Sequence, residues 1–116
     1  MTPKQQNPSP ELIRKTVERL RALADEARLR ILVRLRQGEC NVTELVKELG
    51  LAQASVSKHL AVLRAAGIVT YRRDKAQSIY RVVDESVFEV CTLVCDSVKR
   101  QQAELATALR GADFEL

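Results

Sequence analysis

The sequence predicts a mainly α-helical fold with one small β-hairpin ahead of a last helix. Three observations carry that prediction. Residues 41–67 hold two short helical patterns joined by a tight turn at Gly50, with Val42, Leu45, Val46 and Leu49 on one face of the first and Val56, Leu60 and Leu63 on one face of the second. After Gly67 the three- and four-residue period gives way to two runs rich in β-branched and aromatic residues, 68–73 and 79–83. Beyond Ser86 apolar residues return at helical spacing. A helix, a glycine-containing turn and a second helix with one apolar and one polar side describe a helix-turn-helix. A hairpin placed directly after that second helix makes it a winged helix-turn-helix.

Each element has its own local signals. Residues 1–9 are polar with two prolines and read as a disordered leader. The domain spans 10–111, and 112–116 is a short tail. Ser9 is a good helix cap and Pro10 suits the first helical position, so a first helix is expected over 10–23 with Leu12, Ile13, Val17, Leu20 and Leu23 as its apolar stripe. Asp25 can cap a second helix over 26–37, ended by Gly38, with Leu29, Ile31, Leu32 and Leu35 buried and Arg28, Arg30, Arg34 and Arg36 outside or on the flanks. Asn41 caps the third helix, and Glu44, three residues on, reaches back to its backbone in a capping box. The hairpin is expected to be two-stranded, with a tip over 74–78 that lacks glycine, so any left-handed position falls on Lys75, Ala76 or Gln77 at some strain. The last helix begins within 84–86 and runs to Arg110, with Gly111 as its stop and Val87, Val90, Cys91, Val94, Cys95 and Val98 as its stripe.

The 116 residues fit one domain, and a chain of this size has limited room to bury apolar area alone. A helix as long as the last one needs a partner for its stripe. The simplest cover is a twofold homodimer built from the terminal helices, through Leu12, Ile13, Val17 and Leu20 with Val87, Val90, Val94 and Val98. No run approaches the length of a membrane span and no signal-peptide pattern opens the chain, so a cytoplasmic protein is expected, with no membrane partner.

Charge points to the partner. The net charge is +4, but residues 53–81 alone hold Lys58, Arg64, Arg72, Arg73, Lys75 and Arg81 against Asp74, and the rest of the chain is close to neutral. Basic charge gathered on one part of a small domain is the electrostatic footprint of a phosphate-backbone binder. In a helix-turn-helix the second helix lies in the major groove. Opposite its buried stripe this one carries Gln53, Ser55, Ser57 and Lys58, with Ala54 beside them, expected to face bases, while His59 and Arg64 lie nearer phosphate. Arg72, Arg73 and Lys75 on the wing can reach phosphates or the minor groove. An enzyme is not expected: there is no glycine-rich phosphate loop, no local Cys–His pair and no carboxylate cluster beside the single histidine.

The run 23–32, Leu-Ala-Asp-Glu-Ala-Arg-Leu-Arg-Ile-Leu, resembles the opening of the ArsR/SmtB family of bacterial winged-helix repressors. Ser55-Val56-Ser57-Lys58-His59-Leu60, followed by Leu63, Gly67 and the hairpin, resembles that family's recognition helix and wing, and the resemblance covers about residues 10–100. It implies four helices, two strands and a fifth helix, a homodimer, a pseudo-palindromic operator in double-stranded DNA, and repression released by a metal, metalloid or thiol-reactive inducer. The chain departs from the family in three respects. Asn41 and Thr43 stand where arsenic- and cadmium-responsive members have a Cys-x-Cys pair, with Cys40 one residue upstream. The last helix has no histidine for a zinc- or nickel-type site. Ala52 stands where the family has a serine cap, a loss of about 1 kcal/mol at that helix end.

Cys91 and Cys95 remain as metal ligands. Four apart on one helix face, with β-carbons about 5–6 Å apart, they could share one soft ion such as As(III) or Cu(I), with Cys40 or a residue of the partner chain as a third ligand. No cofactor is obligatory on this reading; the ion acts as inducer. Two alternatives stand beside it: a repressor of the same family whose cysteines are only small apolar side chains, and a winged-helix module used for protein contact.

Overall fold

A computed structural model describes residues 7–111. The expected leader lies mostly outside those residues, and the expected tail over 112–116 lies wholly outside them. The chain separates into two compact units, the first ending at Asp84 and the second beginning at Glu85.

In the first unit the order is α1 (Pro10–Leu23), α2 (Glu26–Arg36), β1 (Cys40–Asn41), α3 (Val42–Leu49), α4 (Gln53–Ala65), β2 (Val69–Asp74) and β3 (Gln77–Val82). The caps read from sequence are all made. The Leu12 N–H donates to Ser9 Oγ at 3.1 Å and the Arg28 N–H to Asp25 Oδ1 at 3.1 Å. At α3 both halves of the capping box are present, Glu44 N–H to Asn41 Oδ1 at 2.8 Å and Asn41 N–H to Glu44 Oε1 at 3.3 Å. Gly50 ends α3 in the left-handed region with φ 67°. α4 has no side-chain cap at Ala52, as its residue type dictates.

α4 ends in a paired closure: the Gly67 N–H donates to the Arg64 carbonyl and the Ile68 N–H to the Leu63 carbonyl, each at 3.0 Å, with Gly67 at φ 78°. A β-carbon at Gly67 would also come within 2.9 Å of the Arg19 guanidinium. That guanidinium runs from α1 to the root of the hairpin, donating to the Ala66 carbonyl at 3.1 Å and to Asp84 at 2.8 Å.

The core is aliphatic. Ile31, Leu32 and Leu35 of α2, Leu45 of α3, Val56, Leu60 and Leu63 of α4, and Ile68 and Val69 at the start of the hairpin are sealed from solvent. Burying each such side chain contributes about 1.5–3 kcal/mol relative to leaving it in water. Leu29 departs from expectation: it is 37% exposed, because the inner face of α2 is already filled by Ile31, Leu32 and Leu35. Only Ala22 and Leu23 of α1 are buried, and Leu12, Ile13, Val17 and Leu20 stay exposed.

The sheet has three strands in the order β1-β3-β2, not the two expected. β1 pairs antiparallel with β3, Cys40 opposite Tyr80 and Asn41 opposite Ile79. The hairpin pairs Val69 with Val82 through to Asp74 with Gln77, so the turn is only Lys75–Ala76, shorter than the expected tip. Lys75 takes the left-handed position at φ 60°. A positive φ at the first of two turn residues suits the right-handed twist of the strands, and glycine fits it with least strain.

The second unit is a single helix, α5 (Ser86–Gly111), which includes as its last residue the glycine expected to stop it. Val90, Leu93, Val94, Val98, Leu105 and Leu109 are exposed. Val87 is only 2% exposed within one chain, so it is not available to a dimer interface as expected. Among the described residues no helix is long and apolar enough to cross a membrane.

Candidate nucleic-acid interface

α4 separates its two faces cleanly. With Val56, Leu60 and Leu63 turned into the core, Gln53, Ala54, Ser57, Lys58 and Arg64 are exposed and Ser55 is half-buried. Of these, Gln53, Ala54, Ser57 and Lys58 lie on the first two turns, where a groove-binding helix meets base edges, and Arg64 lies on the last turn. The closure at Gly67 then turns the chain straight into β2, so the wing follows α4 with no intervening linker.

The basic residues of this surface are not equally free. Arg64 stacks on the wing, its guanidinium carbon 4.4 Å from the centre of the Tyr71 ring, and Tyr71 in turn lies 5.3 Å from Tyr80. Stacking uses the face of the guanidinium and leaves its N–H edge for other acceptors. Arg72 donates to Glu39 at 2.7 Å. That hydrogen bond holds the Glu39 carboxyl below the ordinary carboxylate range and raises Arg72. Arg72 therefore brings less unpaired charge to the surface than its position in the sequence implied. Arg73 touches Ser78 Oγ at 3.1 Å, and Lys75 stands at the tip of the turn. Wing and α3 are also joined, by Asn41 Nδ2 donating to Gln77 Oε1 at 2.6 Å.

His59 is placed differently from its expected role. Its side chain is 18% exposed, and Nδ1 lies 3.2 Å from Arg28 Nη1 and 4.0 Å from Asp25 Oδ1. That edge of the ring faces α2, not a ligand. Arg28 likewise leaves the outer flank expected for it, donating to the Ala22 carbonyl at 2.7 Å and to the Arg21 carbonyl at 3.0 Å. The Arg28 backbone N–H is the main reason that the Asp25 carboxyl stays below the ordinary range. On the other side of α2, Arg34 pairs with Glu48 and donates to the Gly38 carbonyl, fixing α2 to α3 beneath the interface.

The cysteines fall in two settings. Cys40 is 1% exposed in β1, and burial pushes its thiol up. On α5, Cys91 is half-buried and Cys95 exposed; burial first, and then the neighbouring Cys95, push the Cys91 thiol up. A raised thiol stays protonated at neutral pH and is a slower nucleophile. Among the described residues no group of three or more His, Cys, Asp or Glu side chains could hold a metal ion. The pair on α5 supplies two soft thiol ligands, so As(III), which takes three, needs one from elsewhere.

Residues 25–71 match the family model described as "Bacterial regulatory protein, arsR family". Over 83 residues the chain is 39% identical to the HTH-type transcriptional repressor SmtB of Mycobacterium tuberculosis, a stretch that covers 72% of this chain and 62% of that one. The chain thus spans less than two thirds of the length of that relative. It is 36% identical to the uncharacterized HTH-type transcriptional regulator MJ1325 of Methanocaldococcus jannaschii, covering 72% of this chain and 96% of the relative. Among solved structures it is similar to the homodimeric winged helix-turn-helix DNA-binding domain Mb0332 of Mycobacterium bovis, with a TM-score of 0.74, 27% identity, and coverage of 89% of this chain and 95% of that one.

Proposed function

The chain belongs to the bacterial ArsR family of regulatory proteins, and on that premise we propose that it is a homodimeric repressor bound to a pseudo-palindromic operator in the cytoplasm. The observation that supports this reading is the two-faced α4: its apolar stripe is sealed while Gln53, Ala54, Ser57 and Lys58 stand exposed, with Arg73 and Lys75 on the adjoining wing. Lys58, Arg73 and Lys75 neutralise phosphate, and Gln53, Ser55 and Ser57 meet base edges. Leu12, Ile13, Val17 and Leu20 of α1 with Val90, Val94 and Val98 of α5 form the twofold contact. The homodimeric state of the M. bovis relative supports that assembly. The protein acts by binding, as a transcription regulator, and not as an enzyme.

Release from DNA is assigned to Cys91 and Cys95. Two thiols one helical turn apart can take up a soft ion such as As(III) or a thiol-reactive inducer, and a second copy completes the ligand set. Because thiol protons leave when a metal cation binds, affinity for a metal ion rises with pH, and inducer affinity of any kind falls when operator is bound.

One mobility-shift series on the duplex upstream of the protein's own coding sequence tests both parts. Arg73→Ala with Lys75→Ala is expected to weaken every duplex about equally and to lower the salt slope by roughly one to two units. No duplex binding by the wild type at any salt would leave the protein-contact reading. Arsenite is expected to release the wild type and not Cys91→Ser with Cys95→Ser; equal release of both would make the cysteines packing residues.

A further inference from the structure

We propose that Glu39 is a brake on duplex affinity: it holds Arg72 and so withholds one phosphate contact from the wing, and removing its carboxylate tightens DNA binding. The proposal rests on the DNA-binding reading above and adds to it a residue outside α4 and the hairpin. Arg72 stands exposed on β2, next to Arg73 and close to Lys75 in the turn. Its Nη2 donates to Glu39 Oε1 at 2.7 Å, while Asp74 Oδ2 lies 4.0 Å from Nη1, too far for a hydrogen bond. Arg72 sits opposite Ile79 on the middle strand, and Ile79 sits opposite Asn41. The guanidinium therefore crosses β3 to reach Glu39, two residues before Asn41. Arg81 also acts on the Glu39 carboxylate. Arg73, by contrast, meets the Ser78 hydroxyl and no carboxylate among the described residues.

This ion pair has two readings, and they carry opposite signs. As a clip it would hold the hairpin in place, and its loss would loosen the wing and weaken binding. The hairpin is already held without it. β1 pairs with β3 at Cys40–Tyr80 and Asn41–Ile79, and Asn41 Nδ2 bonds Gln77. The Arg72 and Glu39 side chains are 54% and 42% exposed, and so open a pair adds little to the fold. What it does change is charge. The planar fork of a guanidinium fits a carboxylate and a phosphate alike. Bonded to Glu39, Arg72 brings no net charge to the duplex, and the counterion release that a free cation gives is lost. Phosphate contacts carry no sequence information, so the brake lowers affinity for every duplex and leaves base discrimination intact. Non-specific sites competing for the protein then hold less of it.

The experiment reads that sign. Affinity is measured across a salt series for the wild type and Glu39→Ala, on the upstream duplex and on a scrambled duplex of the same length. Glu39→Ala is expected to bind both duplexes roughly fivefold more tightly at about 0.15 M salt and to steepen the salt slope by about one unit, the counterion term of one phosphate. In an Arg72→Ala background the same change is expected to gain less than about twofold, because a carboxylate with no cation to release acts only through its screened field. Unchanged or weaker binding by Glu39→Ala makes the pair a clip and overturns the proposal. So do equal gains in both backgrounds, where Glu39 acts by its own charge, and a gain confined to the upstream duplex, where Arg72 reads bases. A wild type that binds no duplex at any salt removes the DNA-binding reading and this proposal with it. The pair itself is checked without DNA. The Glu39 carboxyl ¹³C signal is expected to titrate below the ordinary carboxylate range and to move up toward it in Arg72→Ala. An ordinary Glu39 in the wild type overturns the proposal whatever the duplexes do.

Discussion

Two helices of this protein carry apolar stripes of the same period, and only one stripe is sealed within the chain. On α4, Val56, Leu60 and Leu63 are 0% exposed, whereas on α5 Leu93 is 70% and Val94 59% exposed. A stripe defines a face; whether the face is covered depends on what packs against it. α4 is flanked by α2, α3 and β2, which close over it, and its polar side is thereby fixed outward. The difference separates residues that hold the fold from residues left for association.

Three substitutions break or sharpen that contrast. Leu60→Ala is expected to cost about 3–4 kcal/mol, because it removes three carbons and leaves a cavity in a packed core. Urea unfolding at fixed protein concentration reads it, and a loss under about 1 kcal/mol would mean that the α4 stripe is not core. Val94→Asp is expected to leave the fold of the first unit intact and weaken association by about 2–3 kcal/mol, since a carboxylate would be buried unpaired at the contact. Sedimentation equilibrium decides: a variant that self-associates like the wild type places the dimer contact elsewhere. Lys75→Gly is the smallest change and has the opposite sign. Relief of the left-handed φ is expected to stabilise the hairpin by up to about 1 kcal/mol, while the lost charge weakens duplex binding slightly. A destabilised variant would show that the Lys75 side chain, and not its backbone, matters to the turn.

What the sequence made legible was local. Ser9, Asp25, Asn41 with Glu44, and Gly50 are read correctly because a cap depends on residues three or four apart. The position forced left-handed in a tip without glycine falls on Lys75, one of the three residues that could take it. β1 was not legible, since two residues carry no period and Cys40–Asn41 becomes a strand only by meeting β3 nearly forty positions later. The partners of the arginines were not legible for the same reason. Arg28, Arg64 and Arg72 all read as surface charge; Arg28 instead bonds α1 carbonyls and His59, while Arg64 and Arg72 stay exposed but lean on Tyr71 and Glu39. A guanidinium's partners are set by tertiary placement, and only its charge is visible in advance.

The short strand β1 has a mechanical consequence. It grips β3 at Ile79 and Tyr80, and the Asn41–Gln77 hydrogen bond adds a stay still nearer the turn. The free overhang of the hairpin is then about two residues, roughly 7 Å, instead of the whole six-residue ribbon. The bending stiffness of a cantilever grows as the inverse cube of its free length. Arg73 and Lys75 therefore ride on a stub, and in the DNA binding proposed above the wing would act as a stop that sets how deep α4 sinks.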